Sequence, residues 1–89
     1  MDLNVAATIK VMPTGTDADY KSIQKGIEEV VKKYGKIHSI EIKPLAFGLK
    51  ALEAVILLSD SAGGIDEIEA GVARIKGVGS IEILDVNRL

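Results

Sequence analysis

The sequence predicts an α+β fold, with one four-stranded antiparallel sheet and two helices on one of its faces, in the order strand, helix, strand, strand, helix, strand. Three observations predict it. Several segments alternate apolar and polar residues with a period of two, two others space apolar residues three and four apart, and the second half of the chain repeats the pattern of the first.

Asn4 to Met12 puts Val5, Ala7, Ile9 and Val11 on one side and Ala6, Thr8, Lys10 and Met12 on the other, as a half-buried strand requires, and Pro13 ends it. Thr14-Gly15-Thr16-Asp17 is a turn, with Thr16 and Asp19 spaced like a capping box at a helix start. From Asp17 to Tyr34 the apolar residues Tyr20, Ile23, Ile27, Val30, Val31 and Tyr34 form one helical face, with Lys32 and Lys33 at the end that favours cations and Gly35 placed to cap. Ile37 to Lys43 is a second strand leading into Pro44, which has no N–H to donate and belongs at an edge or a strand end. Leu49 to Ser59 is the most strand-like run, and Asp60-Ser61-Ala62-Gly63-Gly64 is its exit turn. Ile65, Ile68, Val72 and Ile75 mark the second helix, acidic at its start through Asp66, Glu67 and Glu69 and basic at its end through Arg74 and Lys76. Gly77-Val78-Gly79 stops it. Ile81 to Leu89 is the last strand, in which Ile83-Leu84 breaks alternation and leaves the register open.

This order fits two split βαβ units in a ferredoxin-like βαββαβ sandwich. The halves repeat at an offset of 45: Ile23, Gly26, Ile27 and Val30 return as Ile68, Gly71, Val72 and Ile75, and Ala7, Ile9 and Val11 as Leu52, Ala54 and Ile56. Each mid-helix glycine sacrifices about 1 kcal/mol against alanine, so close approach of helix to sheet is expected at both. The same offset sends Leu52, Ala54, Ile56 and Leu58 into the core and leaves Ala51, Glu53, Val55 and Leu57 on the open face.

Composition narrows the function classes. A chain of 89 residues is expected to form one domain, 1–89, because at this size only roughly 60 to 65 per cent of the unfolded surface is buried. With 47% hydrophobic and 27% charged residues it is neither disordered nor membranous, and its longest uncharged apolar run, Ala54 to Ser59, falls far short of the ~20 residues of a spanning helix. The start Met-Asp-Leu-Asn shows no secretory signal, so a cytoplasmic location is expected, and zero cysteines exclude disulfides and thiolate chemistry. Residues 1–50 carry eight lysines against six acids, and residues 51–89 three basic residues against seven acids. A dipolar surface with three aromatics in the chain argues against direct nucleic-acid binding and leaves a charged protein partner open.

No active site is apparent. His38 is the lone histidine and reads as structural or exposed, and neither Gly63-Gly64 nor Gly77-x-Gly79 fits a phosphate-binding fingerprint. The serines have no nucleophile-elbow setting and the acids no catalytic spacing, so neither cofactor nor metal is expected. Lys32, Lys33 and Lys36 read as a solvated helix end, and composition alone makes Asn87-Arg88-Leu89 a frayed terminus.

The joint Pro44-Leu45-Ala46-Phe47-Gly48-Leu49-Lys50-Ala51-Leu52 stands apart. Connections between strands normally carry polar turn formers, and here the chain's one phenylalanine sits beside a glycine with no core to fill. This joint, the order of elements and the basic-Leu terminus resemble the stand-alone archaeal form of the guanine-nucleotide exchange domain of the elongation factor 1 beta family. The resemblance implies a factor that replaces GDP by GTP on the GTPase elongation factor 1-alpha, without covalent chemistry. It implies partner contacts at Phe47 as an apolar anchor, at Gly48 where backbones approach, at Lys50, and at Arg88 and Leu89. In eukaryotic relatives a penultimate lysine reaches towards the magnesium and phosphate region of the GTPase, and Arg88 holds that place here with a wider, bidentate head. On the residues alone, a small ferredoxin-like regulatory or ligand-binding module acting as an oligomer remains the alternative.

Overall fold

The computed structural model describes residues 3–15, 19–59 and 64–89. Its elements are β1 (Val5–Pro13), α1 (Tyr20–Val31), β2 (Gly35–Pro44), β3 (Lys50–Leu58), α2 (Ile65–Ala73) and β4 (Val78–Arg88). They form one antiparallel sheet of order β2-β3-β1-β4, so the two central strands come from different halves of the chain and β2 and β4 are the edges. This is the expected ferredoxin-like topology.

Period-two alternation sorts the central strands as expected. Ala7, Ile9 and Val11 of β1 and Leu52, Ala54, Ile56 and Leu58 of β3 are buried against Ile23, Ile27 and Val31 of α1 and Ile68 and Val72 of α2. Each fully buried isoleucine among them contributes roughly 1.5–3 kcal/mol relative to exposure. Glu53, Val55 and Leu57 lie half-buried on the open face, but Ala51, expected beside them, is only 2% exposed.

The edge strands carry the irregularities. Ile37 pairs with Ile56 and Ser39 with Val55, so His38 is an extra residue in β2. In β4, Asp85 opposes Thr8 and Ile83 opposes Ile9, which leaves Leu84 extra, and Gly79 is extra between Val78 and Ser80. A β-bulge turns side chains three apart onto one face. The pairs Ile37 and Ile40, Val78 and Ile81, and Ile83 and Val86 are each spaced by three, and one bulge lies inside each pair. The broken alternation at Ile83-Leu84 is therefore a bulge that keeps Ile83 and Val86 on the helix-facing side, which settles the register.

Both helices are shorter than their apolar spacing suggests. Asp19, not Thr16, caps α1: its carboxylate accepts the Ser22 N–H and the Ser22 hydroxyl, both at 3.1 Å. Thr16 and Asp17 lie outside the described residues, as do Asp60 to Gly63 of the expected exit turn. After Val31 the chain tightens into i→i+3 bonds, Lys33 N–H to Val30 O and Tyr34 N–H to Val31 O, so Lys32 is the C-cap and Tyr34 lies beyond the helix. Gly35, expected as a cap, instead opens β2, where a Cβ would run into the Leu57 carbonyl. In α2, Asp66 and Glu67 occupy the first turn as expected, Gly64 is the N-cap with φ 109°, and Arg74 is the C-cap rather than a last-turn residue.

The paired glycines have a different reason from the one expected. A Cβ on Gly71 would meet Val30 Cγ1 at 2.8 Å, and one on Gly26 would meet Ile75 Cδ1 at 2.8 Å. The close approach is between the helical segments, not between helix and sheet. Because Val30 and Ile75 are themselves 45 residues apart, the two contacts are one contact repeated by pseudo-twofold symmetry.

Candidate partner-binding site

Pro44 and Lys50 are the last paired residues of the β2–β3 ladder, and the chain reverses between them. Leu45 N–H donates to Leu49 O at 2.7 Å, and Leu49 N–H donates to Ala46 O at 3.2 Å. The two residues inside that turn, Phe47 and Gly48, have φ of 59° and 77°. Positive φ at both central positions is the type I′ sense, whose twist matches that of the flanking strands and which favours Asn-Gly over any large side chain.

Phe47 is the one non-glycine residue with positive φ among the described residues, and it is 96% exposed. An L-residue in the left-handed region costs roughly 1–2 kcal/mol, and this ring recovers none of it by burial. Leu45 and Leu49 on either side are half-buried, so the turn's own apolar packing leaves Phe47 out. Gly48 supplies the second positive φ without strain. Lys50 is directed elsewhere: its ammonium stands over the Tyr20 ring, 6.0 Å from the centroid.

Arg88 and Leu89 are at the other end of the sheet. Arg88 pairs with Val5, and Val5 pairs with Leu58 at the end of β3 remote from Lys50. Eight residue steps along β3 at about 3.3 Å each separate the two ends by about 26 Å. Leu89 continues the ladder, donating its N–H to Asn4 O at 2.7 Å, so the terminus is tied down and not frayed as composition suggested, while its side chain is 72% exposed. Next to this end a hollow of about 430 Å³ opens between Val5, Leu58, Ile65 and Val86. The structure thus brings Phe47, Gly48 and Lys50 together at one end and Arg88 and Leu89 together at the other.

Among the described residues, no three or more His, Asp or Glu side chains cluster to hold a metal ion, and His38 is an exposed bulge residue. Among the described residues, no helix is long and apolar enough to cross a membrane. In the sequence Tyr20 is only one residue of an apolar helical face. Its place under Lys50 depends on the strand pairing and leaves no mark in local spacing.

Residues 6–89 match the EF-1 guanine nucleotide exchange domain. The elongation factor 1-beta of Methanothermobacter thermautotrophicus is 41% identical over 86 residues, covering 97% of each chain. That of Methanococcoides burtonii is 40% identical over 94% of each, and that of Halorubrum lacusprofundi 37% identical over 97% of this chain and 98% of its own. Among solved structures, the C-terminal domain of MgtC from Mycobacterium tuberculosis superposes with a TM-score of 0.68 at 11% identity, covering all of this chain and 92% of its own. The ACT domain of a GTP pyrophosphokinase from Chlorobium tepidum gives 0.62 at 17% identity, covering 91% of this chain and 99% of its own. At such identities these two likenesses speak for the fold alone. With the fold, the exposed Phe47 turn and the near-complete match in hand, the chain belongs to the elongation factor 1-beta family of guanine nucleotide exchange factors.

Proposed function

We propose that this chain, as one domain of residues 1–89 in the cytoplasm, promotes replacement of GDP by GTP on elongation factor 1-alpha, with Phe47 and Gly48, beside Lys50, meeting the GTPase at one end of the sheet and Arg88 and Leu89 meeting it at the other. The observation that carries this reading is Phe47, a large apolar ring held in solvent on a strained backbone. Neither the strain nor the exposure serves the free protein; burial of the ring in a pocket on the partner ends the exposure and offsets the strain.

Exchange of this kind breaks no covalent bond. A protein that binds the nucleotide-free GTPase more tightly than the nucleotide-bound form weakens nucleotide binding by that same ratio. A thousandfold ratio corresponds to about 4 kcal/mol. Only contacts that differ between the two forms contribute to it, whereas a contact made equally with both raises affinity alone. An apolar anchor remote from the nucleotide belongs to the second kind, so Phe47 governs the concentration at which exchange saturates. A cation placed where it competes with the nucleotide's own charge partners belongs to the first, and Arg88 has the charge for it.

The test is release of a fluorescent GDP analogue from the source organism's elongation factor 1-alpha, with this chain present at catalytic concentration. Accelerated release is expected. An unchanged rate with both proteins folded overturns the reading and favours a ligand-binding module.

A further inference from the structure

We propose that Tyr20 and Lys50 form a brace that aims the Phe47 turn, which makes Tyr20 a positioning residue for nucleotide exchange; this rests on the reading that Phe47 meets the GTPase. The end of the hairpin lacks the support the rest of the sheet enjoys. Pairing of β1 with β3 runs only as far as Val11 and Leu52, so Lys50 and Ala51 are paired on one side alone, to Pro44 and Lys43 of the edge strand β2. A two-stranded ribbon is marginally stable by itself. Beyond it, Ala46, Phe47 and Gly48 are all exposed.

The contact of Lys50 with Tyr20 supplies a second anchor. Lys50 shares the helix-facing side of β3 with Leu52, and its ammonium stands 6.0 Å from the Tyr20 ring centroid, where the ring's quadrupole attracts a cation. The ring is itself fixed. Tyr20 is the first residue of α1, directly after the Asp19 cap with its two bonds to Ser22, and it is partly buried against the core. Its hydroxyl is buried with no hydrogen-bond partner among the described residues. What Tyr20 offers Lys50 is therefore the ring, and the direction of Phe47, three residues before Lys50, is referred through it to the capped start of α1.

The experiment measures KM and kcat for GDP release from elongation factor 1-alpha with Tyr20→Leu, Lys50→Met, the double variant, Tyr20→Phe, Lys50→Arg and Phe47→Gly, at a temperature where circular dichroism shows each to be folded. Tyr20→Leu and Lys50→Met are each expected to raise KM about threefold at unchanged kcat, the scale of an exposed cation–π contact. The double variant should be no worse than either single one, since each removes the same interaction. Tyr20→Phe and Lys50→Arg, which keep ring and cation, should retain the original KM. A merely structural role would move melting temperatures and leave KM in place, and that result overturns the brace. Multiplied losses, about ninefold in the double variant, also overturn it, because Lys50 would then touch the GTPase independently of Tyr20. Weakened exchange in Phe47→Gly beside an unchanged Tyr20→Leu sinks the brace alone, whereas unchanged exchange in Phe47→Gly sinks the reading of Phe47 and the brace with it.

Discussion

Replacing Phe47 by glycine should make the protein more stable and a worse exchange factor. The ring is 96% exposed, so removing it forfeits almost no buried surface. The backbone φ of 59° becomes unstrained, a gain of about 1–2 kcal/mol, against which glycine's extra freedom in the unfolded chain sets about 0.5–1 kcal/mol. The net is about 0–1.5 kcal/mol of added stability, and its centre corresponds to a rise in melting temperature of about 4 °C for a chain of this size. Partner binding moves the other way, since withdrawing a buried phenylalanine from an interface costs about 2 kcal/mol, or roughly thirtyfold in affinity. Phe47→Ala separates the two effects: it loses the ring but keeps the strain, so binding falls with little change in melting temperature. Thermal melts by circular dichroism and titration of GDP release check both arms. A melting temperature that falls by several degrees in Phe47→Gly would show that the ring packs in the fold, and a rise in stability with unimpaired exchange would show that no partner uses it.

Three further variants test other parts of the structure. Gly71→Ala gains about 1 kcal/mol of helix propensity but drives a Cβ to 2.8 Å from the stiff Val30 side chain, an overpacking of about 1–3 kcal/mol, so the chain should melt lower; Val30→Ala in the same molecule should restore part of the loss. Asp19 holds its proton less tightly than an ordinary carboxylate because the Ser22 backbone N–H, and then the Ser22 hydroxyl, donate to it. Its folded pKa is depressed below 3.8, so its contribution is fully present above that value and is lost as pH falls through the lower folded value; in melts at pH 7 and pH 3, Asp19→Asn, which still caps, should flatten that share of the loss. Arg88→Ala should slow exchange more than it weakens binding, and unchanged release rates would remove Arg88 from the mechanism.

Alternation and helical spacing carried the elements because they record which side chains face the core, and the 45-residue offset carried the pseudo-twofold symmetry for the same reason. The glycines at 26 and 71 were visible, but their purpose was not, since a glycine marks a close approach without saying what approaches; only the packing shows Ile75 and Val30 there. The bulges did leave a trace: same-face residues three apart at Ile37 and Ile40, Val78 and Ile81, and Ile83 and Val86. Spacing favours Thr16 as the cap and the structure uses Asp19, because both residue types can accept a backbone N–H two or three residues on, and the sequence alone does not say at which of them the helix starts. Left-handed Phe47 runs against every local preference, which is why the sequence could flag its isolation but not its backbone. That the Phe47 and Arg88 ends lie apart follows from the antiparallel strand pairing, which no single segment encodes.

That separation constrains how the two ends act. The long dimension of the molecule is 39 Å, and the two ends stand about 26 Å apart along β3, so no side chain of one cluster reaches the other. Residues so far apart affect a binding equilibrium independently unless the partner couples them. If one GTPase molecule spans the sheet and meets both ends in the same complex, the losses of affinity from Phe47→Gly and Arg88→Ala should multiply in the double variant, within about 0.5 kcal/mol. If the two ends instead served two alternative complexes, removing one would leave the other intact, and the double variant would show a loss that neither single one foreshadows. Titration of nucleotide-free elongation factor 1-alpha with the four proteins separates these cases, and a double variant no weaker than Phe47→Gly alone would show that the Arg88 end makes no net contribution to affinity.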